Sequence, residues 1–359
     1  MPLGAAEPDH PSSADSRVAR LPRRSRRCVE SHDEASRSAS SRVREHKPIM
    51  HIMSDYEWCE LLRLSSITMR RPVQSARSTA MASPRLCGMP SHTHDLQITD
   101  TVVRKRFLSW ADGEADREWR CLQLVWKQVP GITPRPLGRT TDDEYPVVIM
   151  ERIPGVPLGD KPLAAEQTSS LGRTLRRLYD IPVEDIAAAG IVERRYGPST
   201  LPQALDAWLS DTYDLSPCLD AVRVADGIAA AHDWLSQPDV LPTPRLVGLG
   251  IADLNPANIL WDGRTCRLVD FEDGGLTDPA YDLADHVEHL AGRLGNVFDP
   301  DALSTAVGLS ADERERMLAY RPLWAAFWLT MLLPGNGGFL RNPAGTTEAQ
   351  VSHFLKLIN

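Results

Sequence analysis

The stretch "GLGIADLNPANILWDG", residues 248–263, decides how the rest of the chain is read. It sets Asp253 five residues before Asn258 in a loop containing Pro256, and then runs into the apolar "NILW". Close behind comes "RLVDFEDGG" (267–275). "NILW" and "CRLVDF" are joined by "DGRT", and an Asp-Gly step between two short apolar runs is a β-hairpin signal. A hairpin here folds Asp270 back beside the loop that holds Asp253 and Asn258. Asp and Asn are common in turns, so an isolated Asp-x-x-x-x-Asn would carry little weight. Three oxygen-bearing side chains returned to one place carry more.

Working outward, "HDLQITDTVVRKRF" (94–107) alternates as two strands with Thr-Asp at the turn. "DREWRCLQLVWKQVPG" (116–131) reads as a helix with Trp119, Leu122 and Trp126 on its apolar face, ended by Pro130-Gly131. "YPVVIM" (145–150) is a buried strand, followed by the turn "IPGVP". From about residue 160 the pattern is helical, with amphipathic "AAEQTSSLGRTLRRLYDIP" and "VADGIAAAHDWLSQPD", and it is helical again from Asp278 to the end. Asp278 before Pro279 reads as a helix N-cap. Asp282, Asp285 and Glu288 on that helix read as a solvated face, the rival reading being an acidic cleft for an amine. His286 and His289 read as surface or packing residues.

Residues 1–80 differ in kind. They contain "RRSRR" and "SRSASSR" and too little apolar periodicity to offset chain entropy, so this segment is expected to be a disordered extension outside the domain. "YEWCELLRL" (56–64) could form an isolated helix, and Met81 or Met89 would serve as a start for the part that folds. The charge is split accordingly. Residues 1–95 hold 15 Lys and Arg against 11 Asp and Glu, leaving 25 against 37 in the remainder. An acidic body argues against a nucleic-acid partner and leans towards cationic or neutral ligands. The six cysteines are scattered without a Cys-x-x-Cys, as expected of reduced thiols in a cytoplasmic protein. No membrane association is expected. The most apolar run, "LWAAFWLTMLL" (323–333), is bounded by Pro322 and Pro334 and falls short of the ~20 residues a spanning helix needs, so it reads as a core helix.

The Asp–Asn–Asp order suits phosphoryl transfer. A base must meet the acceptor hydroxyl, and hard divalent metals on the phosphates want oxygen ligands. Asp253 has the place of the base, and Asn258 and Asp270 those of the metal ligands. "DLNPANILWDG", "RLVDFEDGG" and "DPAYDLADHVEHL" together resemble the catalytic loop, metal strand and following helix of the aminoglycoside phosphotransferase family, relatives of choline kinases. "FWLTMLLPGNGGFLRNPAGT" resembles the tail of actinobacterial members. The resemblance covers about residues 84–359. It implies an α+β, bilobal, protein-kinase-like fold: a nucleotide-binding lobe of antiparallel sheet and one helix (81–154) and a larger, mostly helical lobe (155–359). It also implies ATP and Mg²⁺, with transfer of the γ-phosphate to a hydroxyl of a small molecule (aminoglycoside-like antibiotic, amino-alcohol or sugar) and no obligatory protein partner. The family's strand lysine falls at Lys105, with Arg104 as its rival, and the paired helix glutamate at Glu118, ahead of Asp116 and Glu114. Backbone groups of Glu151 and Ile153 would meet adenine. "CGMPSHTHD" (87–95) stands where a Gly-rich phosphate loop belongs, with Gly88, Ser91 and Thr93 as donors. One position departs from the pattern. Ile251 stands where the family usually has His, which implies altered loop support and keeps open a second reading, a non-catalytic nucleotide-binding module. A protein kinase is disfavoured by the lack of HRD, DFG and APE signals.

Overall fold

The computed structural model describes residues 94–359. The 1–80 extension, the 56–64 helix and Gly88, Ser91 and Thr93 of the expected phosphate loop lie outside the described residues. His94 and Asp95 open the first described strand, β1 (His94–Ile98).

β1 pairs with β2 (Val102–Phe107), and β2 pairs with β4 (Tyr145–Glu151), which in turn takes β3 (Pro136–Asp142). All pairs are antiparallel, with the spatial order β1-β2-β4-β3. The alternation of β2 turns Lys105 and Phe107 inwards, and both are buried. Helix α1 (Glu114–Gln128) packs on this sheet through Glu118, Cys121, Leu122 and Val125. Of the expected face Leu122 is fully buried, while Trp119 and Trp126 at its edge are half-buried. The helix is turned so that a charged residue, Glu118, faces in, because it has a buried lysine to meet.

β5 (Val156–Pro157) leads into the helical part and pairs with β7 (Ile259–Trp261). β7 and β8 (Cys266–Leu268) form the hairpin expected around "DGRT". β6 (Gly248–Gly250) pairs with β9 (Gly275–Thr277) and brackets that hairpin. α2 (Ala165–Tyr179) anchors it from behind. The Thr174 hydroxyl donates to the Cys266 carbonyl at 2.8 Å, and the Cys266 N–H donates to Ser170 Oγ at 2.9 Å. Both backbone groups of a buried residue are thereby satisfied.

α3 (Val183–Ala188), α4 (Leu201–Leu209) and α5 (Ala221–Leu235) precede the hairpin, and α6 (Pro279–Glu288) with α7 (Leu290–Leu294) follow it. α6 begins as its sequence implies. Asp278 Oδ1 accepts from the Ala280 N–H at 2.9 Å, with Pro279 in the first turn. α8 (Pro300–Val307), α9 (Ala311–Met331), α10 (Gly337–Arg341) and α11 (Thr346–Ile358) complete the chain. α9 corrects one expectation, for Pro322 lies inside the helix and does not bound it. A capping box at Ser310 and Glu313 starts the helix upstream. Burial of Leu323, Trp324, Phe327 and Trp328 beyond the proline then outweighs the one backbone hydrogen bond the ring removes. Among the described residues no helix is long and apolar enough to cross a membrane.

Candidate active site

A cavity of about 320 Å³ opens between the sheet and the β7–β8 hairpin. Leu96, Ile98, Val103, Met150 and Leu260 give it apolar walls, and Lys105, Glu118 and Asp270 close its inner end. Glu151 and Ile153 line the rim where the chain leaves β4. The Glu151 N–H is already donated to the Arg135 carbonyl at 2.9 Å.

At the inner end Lys105 Nζ reaches Glu118 Oε2 at 3.1 Å, Glu272 Oε2 at 2.9 Å and the carboxylate of Asp270. This separates Lys105 from Arg104, which points to the opposite side of β2, and Glu118 from its rivals. Asp116 pairs with Arg139 at the surface, and Glu114 with Arg195. Burial works against the Lys105 ammonium, but Asp270, Glu118 and Glu272 outweigh it and hold its pKa well above the usual lysine range. Burial raises Glu118 and, more strongly, Glu272, and the single lysine cannot offset it for both. For Asp270 the opposition of Lys105 and His94 to burial prevails, and its pKa is lowered. Lys105 thus faces three carboxylates, and His94 Nδ1 lies 3.4 Å from Glu272 Oε2. His94, Asp270 and Glu272 also each present one donor atom within 4.8 Å of the others, a grouping that could hold a metal ion. Glu272 stands in the "VDFE" step, and its inward direction became visible only with the fold.

The catalytic-type loop lies beside this end. Asn258 Nδ2 donates to the Asp253 carbonyl at 3.1 Å, which leaves its own carbonyl oxygen for a cation. The Val269 N–H donates to the Asn258 carbonyl at 3.0 Å, bringing Asn258 alongside Asp270. Asp270 itself has φ 73, a left-handed conformation that Asp tolerates better than most residues. The side chain of Asp253 is 35% exposed.

Ile251 is wholly buried in the core and gives the loop no polar support. The support comes from elsewhere. The Asp253 N–H donates back to the Ile251 carbonyl at 3.0 Å across Ala252, whose φ is 73, so the chain makes a tight, strained three-residue turn. Arg194, buried, donates Nη2 to the Ala252 carbonyl at 3.3 Å. It is held by Asp282 and Asp285, each 2.5 Å away, and by the faces of Tyr281 and Trp324. Asp282, Asp285 and Glu288 are therefore not a solvated face. All three are buried, the aspartates on Arg194 and Glu288 between Arg321 and His353. Helical spacing cannot tell a solvated acidic stripe from one whose cations arrive from distant segments. Burial would raise Asp282, but His286 and Arg194 hold it down at about 2. Gly250 permits this approach, since a Cβ there would lie 2.4 Å from Asp282 Oδ1.

Arg195, next in sequence, pairs with Asp112 (2.7 Å) and Glu114 at the start of α1 and with Asp273 after the hairpin (3.4 Å for each of the last two). Burial raises Asp273 to about 6 against the opposition of Arg195, with Asp253 adding to the rise. Neither Arg194 nor Arg195 belongs to a motif readable in "VERRYGP".

Residues 92–320 match the phosphotransferase enzyme family. The chain belongs to that family. It is also similar to viomycin phosphotransferase of Streptomyces vinaceus, 32% identical over 177 residues, covering 45% of this chain and 59% of that protein. The chain thus matches under two thirds of that relative's length. A solved choline/ethanolamine kinase family protein from Mesorhizobium loti is similar in fold, with TM-score 0.50 and 18% identity over 77% of this chain and 87% of that one. A choline kinase from Streptococcus pneumoniae is similar to the same degree, with TM-score 0.50 and 14% identity over 76% of this chain and 91% of that one. These likenesses agree with the α+β, kinase-like fold of this phosphotransferase family member.

Proposed function

We propose that this chain is an ATP-dependent small-molecule kinase, in which the acceptor hydroxyl oxygen forms a bond to the γ-phosphorus, the β–γ bridging bond breaks, and ADP departs. The observation that carries the reading is the joining of an apolar, base-sized cavity to the Lys105–Glu118–Asp270 cluster, with Asp253 and Asn258 beside it. The lobe spanning 81–154 would hold the nucleotide, its adenine against the backbone of Glu151 and Ile153, with Ser91 near the phosphates. Lys105, fixed by Glu118, would bind phosphate oxygens. The residues fit a divalent metal: Asp270 is buried and anionic, and the Asn258 amide is oriented by its N–H bond to Asp253. Mg²⁺ held there would neutralise phosphate charge. Asp253 would orient the acceptor hydroxyl and take its proton. The work of the site is then mostly positioning and charge stabilisation.

Viomycin, aminoglycosides and amino-alcohols such as choline form the first acceptor panel, because relatives in sequence or fold carry those names. The described cysteines are free, and Cys121, pushed up to about 12 by burial, is an inert core thiol, in keeping with a cytoplasmic enzyme. The test is ADP release by the full chain against that panel, with Asp253→Ala as control. Turnover that needs both acceptor and Asp253 supports the reading. Mg·ATP binding without Asp253-dependent turnover would favour the non-catalytic module.

A further inference from the structure

The two carboxylate oxygens of Asp253 sit in different surroundings. The side chain is 35% exposed, yet Oδ1 is closed off from solvent. Oδ2 lies 3.5 Å from the Asn258 amide nitrogen, on the side of the metal-binding loop. A sealed carboxylate oxygen is costly unless something answers its charge. The ion-pair contact on Oδ1 is His289 Nε2, at 3.1 Å, although no aligned hydrogen bond reaches that oxygen. Such bonds often tighten only when the second substrate arrives.

His289 is built to stay where it is. It is the junction between α6 and α7, with its N–H donated to the Asp285 carbonyl at 2.7 Å and its carbonyl accepting from the Arg293 N–H at 2.9 Å. The residue is 4% exposed, and its ring stands edge-on to Trp328, with centroids 4.8 Å apart and planes at 81°. Trp328 is itself buried against Phe327 in the core of α9. The imidazole therefore reaches the Asp253 side chain from the helical core, whereas Arg194, paired with Asp285, supports the backbone turn before it.

We propose that His289 is the positioning partner of Asp253: its Nε2–H engages Oδ1 and stops the carboxylate from rotating, so that Oδ2 is the oxygen turned to the acceptor hydroxyl. This rests on the kinase reading above. In the transfer step the acceptor O–H bond breaks as its oxygen forms the bond to phosphorus. The proton goes to Oδ2, and the electron pair of the broken β–γ bridge leaves with ADP. His289 exchanges no proton with the substrate. It requires only the tautomer carrying its hydrogen on Nε2, so a side chain with an amide N–H at the same reach can replace it in part.

The test uses the full chain with Mg·ATP and whichever panel acceptor turns over, or water as acceptor with phosphate release as readout. His289→Leu is expected to lower kcat about 10- to 100-fold, the scale set by a misplaced reacting group, with KM for Mg·ATP within about twofold. His289→Gln is expected to recover most of that loss. In an Asp253→Ala background His289→Leu should cost nothing further. A loss equal in the Leu and Gln variants, or one that persists undiminished without Asp253, overturns the proposal and leaves His289 as packing for Trp328. If His289→Leu does not fold, the imidazole ¹⁵N spectrum decides. The His289 Nε2 resonance, identified by its absence in His289→Gln, must move on Asp253→Asn substitution, and a resonance that stays put overturns the pairing. Undiminished activity of Asp253→Ala would instead remove Asp253 from the transfer step, and only the lack of acceptor-dependent ADP release by the unaltered chain would sink the kinase reading itself.

Discussion

Two buried ionic clusters lie close together in this molecule and are built on opposite plans. Around Lys105, one cation meets three carboxylates beside an open cavity. Around Arg194, one guanidinium meets two aspartates, with His286 at 2.9 Å from Asp282 and the Tyr179 hydroxyl donating to it at 3.1 Å. The second cluster is sealed by Tyr281 and Trp324. The first sets three carboxylates around one lysine, and burial raises Glu118 and Glu272 beyond what that lysine offsets. Surplus charge next to space suits a cation that comes and goes. Near-balanced charge without space suits a permanent brace. Similar residue types thus do different work according to whether the charges are matched within the fold.

The contrast can be broken most forcefully at Asp270. Asp270→Ala should lower phosphate transfer roughly 10³-fold or more, about 4 kcal/mol, while Mg²⁺ ceases to raise the melting temperature. Transfer assays and calorimetry with and without Mg²⁺ check both halves. At the brace, Arg194→Met should cost about 3 kcal/mol in urea unfolding, because it strands two buried carboxylates, and Mg²⁺ should not restore that stability.

A pH series separates the clusters further. Asp282 titrates at about 2 in the folded chain, below an ordinary aspartate near 3.9, so the unfolded chain binds more protons in between. Its stabilisation, about 2 to 3 kcal/mol, is therefore complete above roughly pH 4 and lost as pH falls towards 2. Urea unfolding at pH 5 and pH 3 should show a fall that is shallower in Asp282→Asn. Ile251→His should cost about 1 to 2 kcal/mol of stability without a gain in turnover, since it puts a polar ring into an apolar site while Arg194 already holds the loop. The smallest effect is expected at Ile153→Ala. If adenine meets backbone there, KM for ATP should change less than about threefold, and a larger rise would mean that the side chain carries the contact.

The parts of the site that sit on local signals were legible. Asp253, Asn258 and Asp270 are joined by a hairpin with its own turn chemistry, and Lys105 is on the buried phase of a strand whose alternation is plain. Glu118 was legible as a partner only through the family resemblance, since an apolar pattern does not say that a charged residue beside it turns inwards. The acidic stripe on α6 was misread because Arg194, Arg321 and His353 come to it from 33 or more residues away in the chain. The role of Ile251 was unsettled for the same reason, as the group that supports its loop is 58 residues from the carbonyl it binds.

The sequence by itself determined most of the strands and helices and the three oxygen-bearing side chains of the loop and hairpin, because these depend on periodicity and on turns a few residues long, while the kind of fold came with the family resemblance its motifs carry. Only the tertiary structure decided which charges are neutralised inside, which are left in surplus at the cavity, and that His289 faces Asp253. Those outcomes depend on Coulomb interactions between segments far apart in the chain, which become strong only after folding has brought the segments together and removed water from between them.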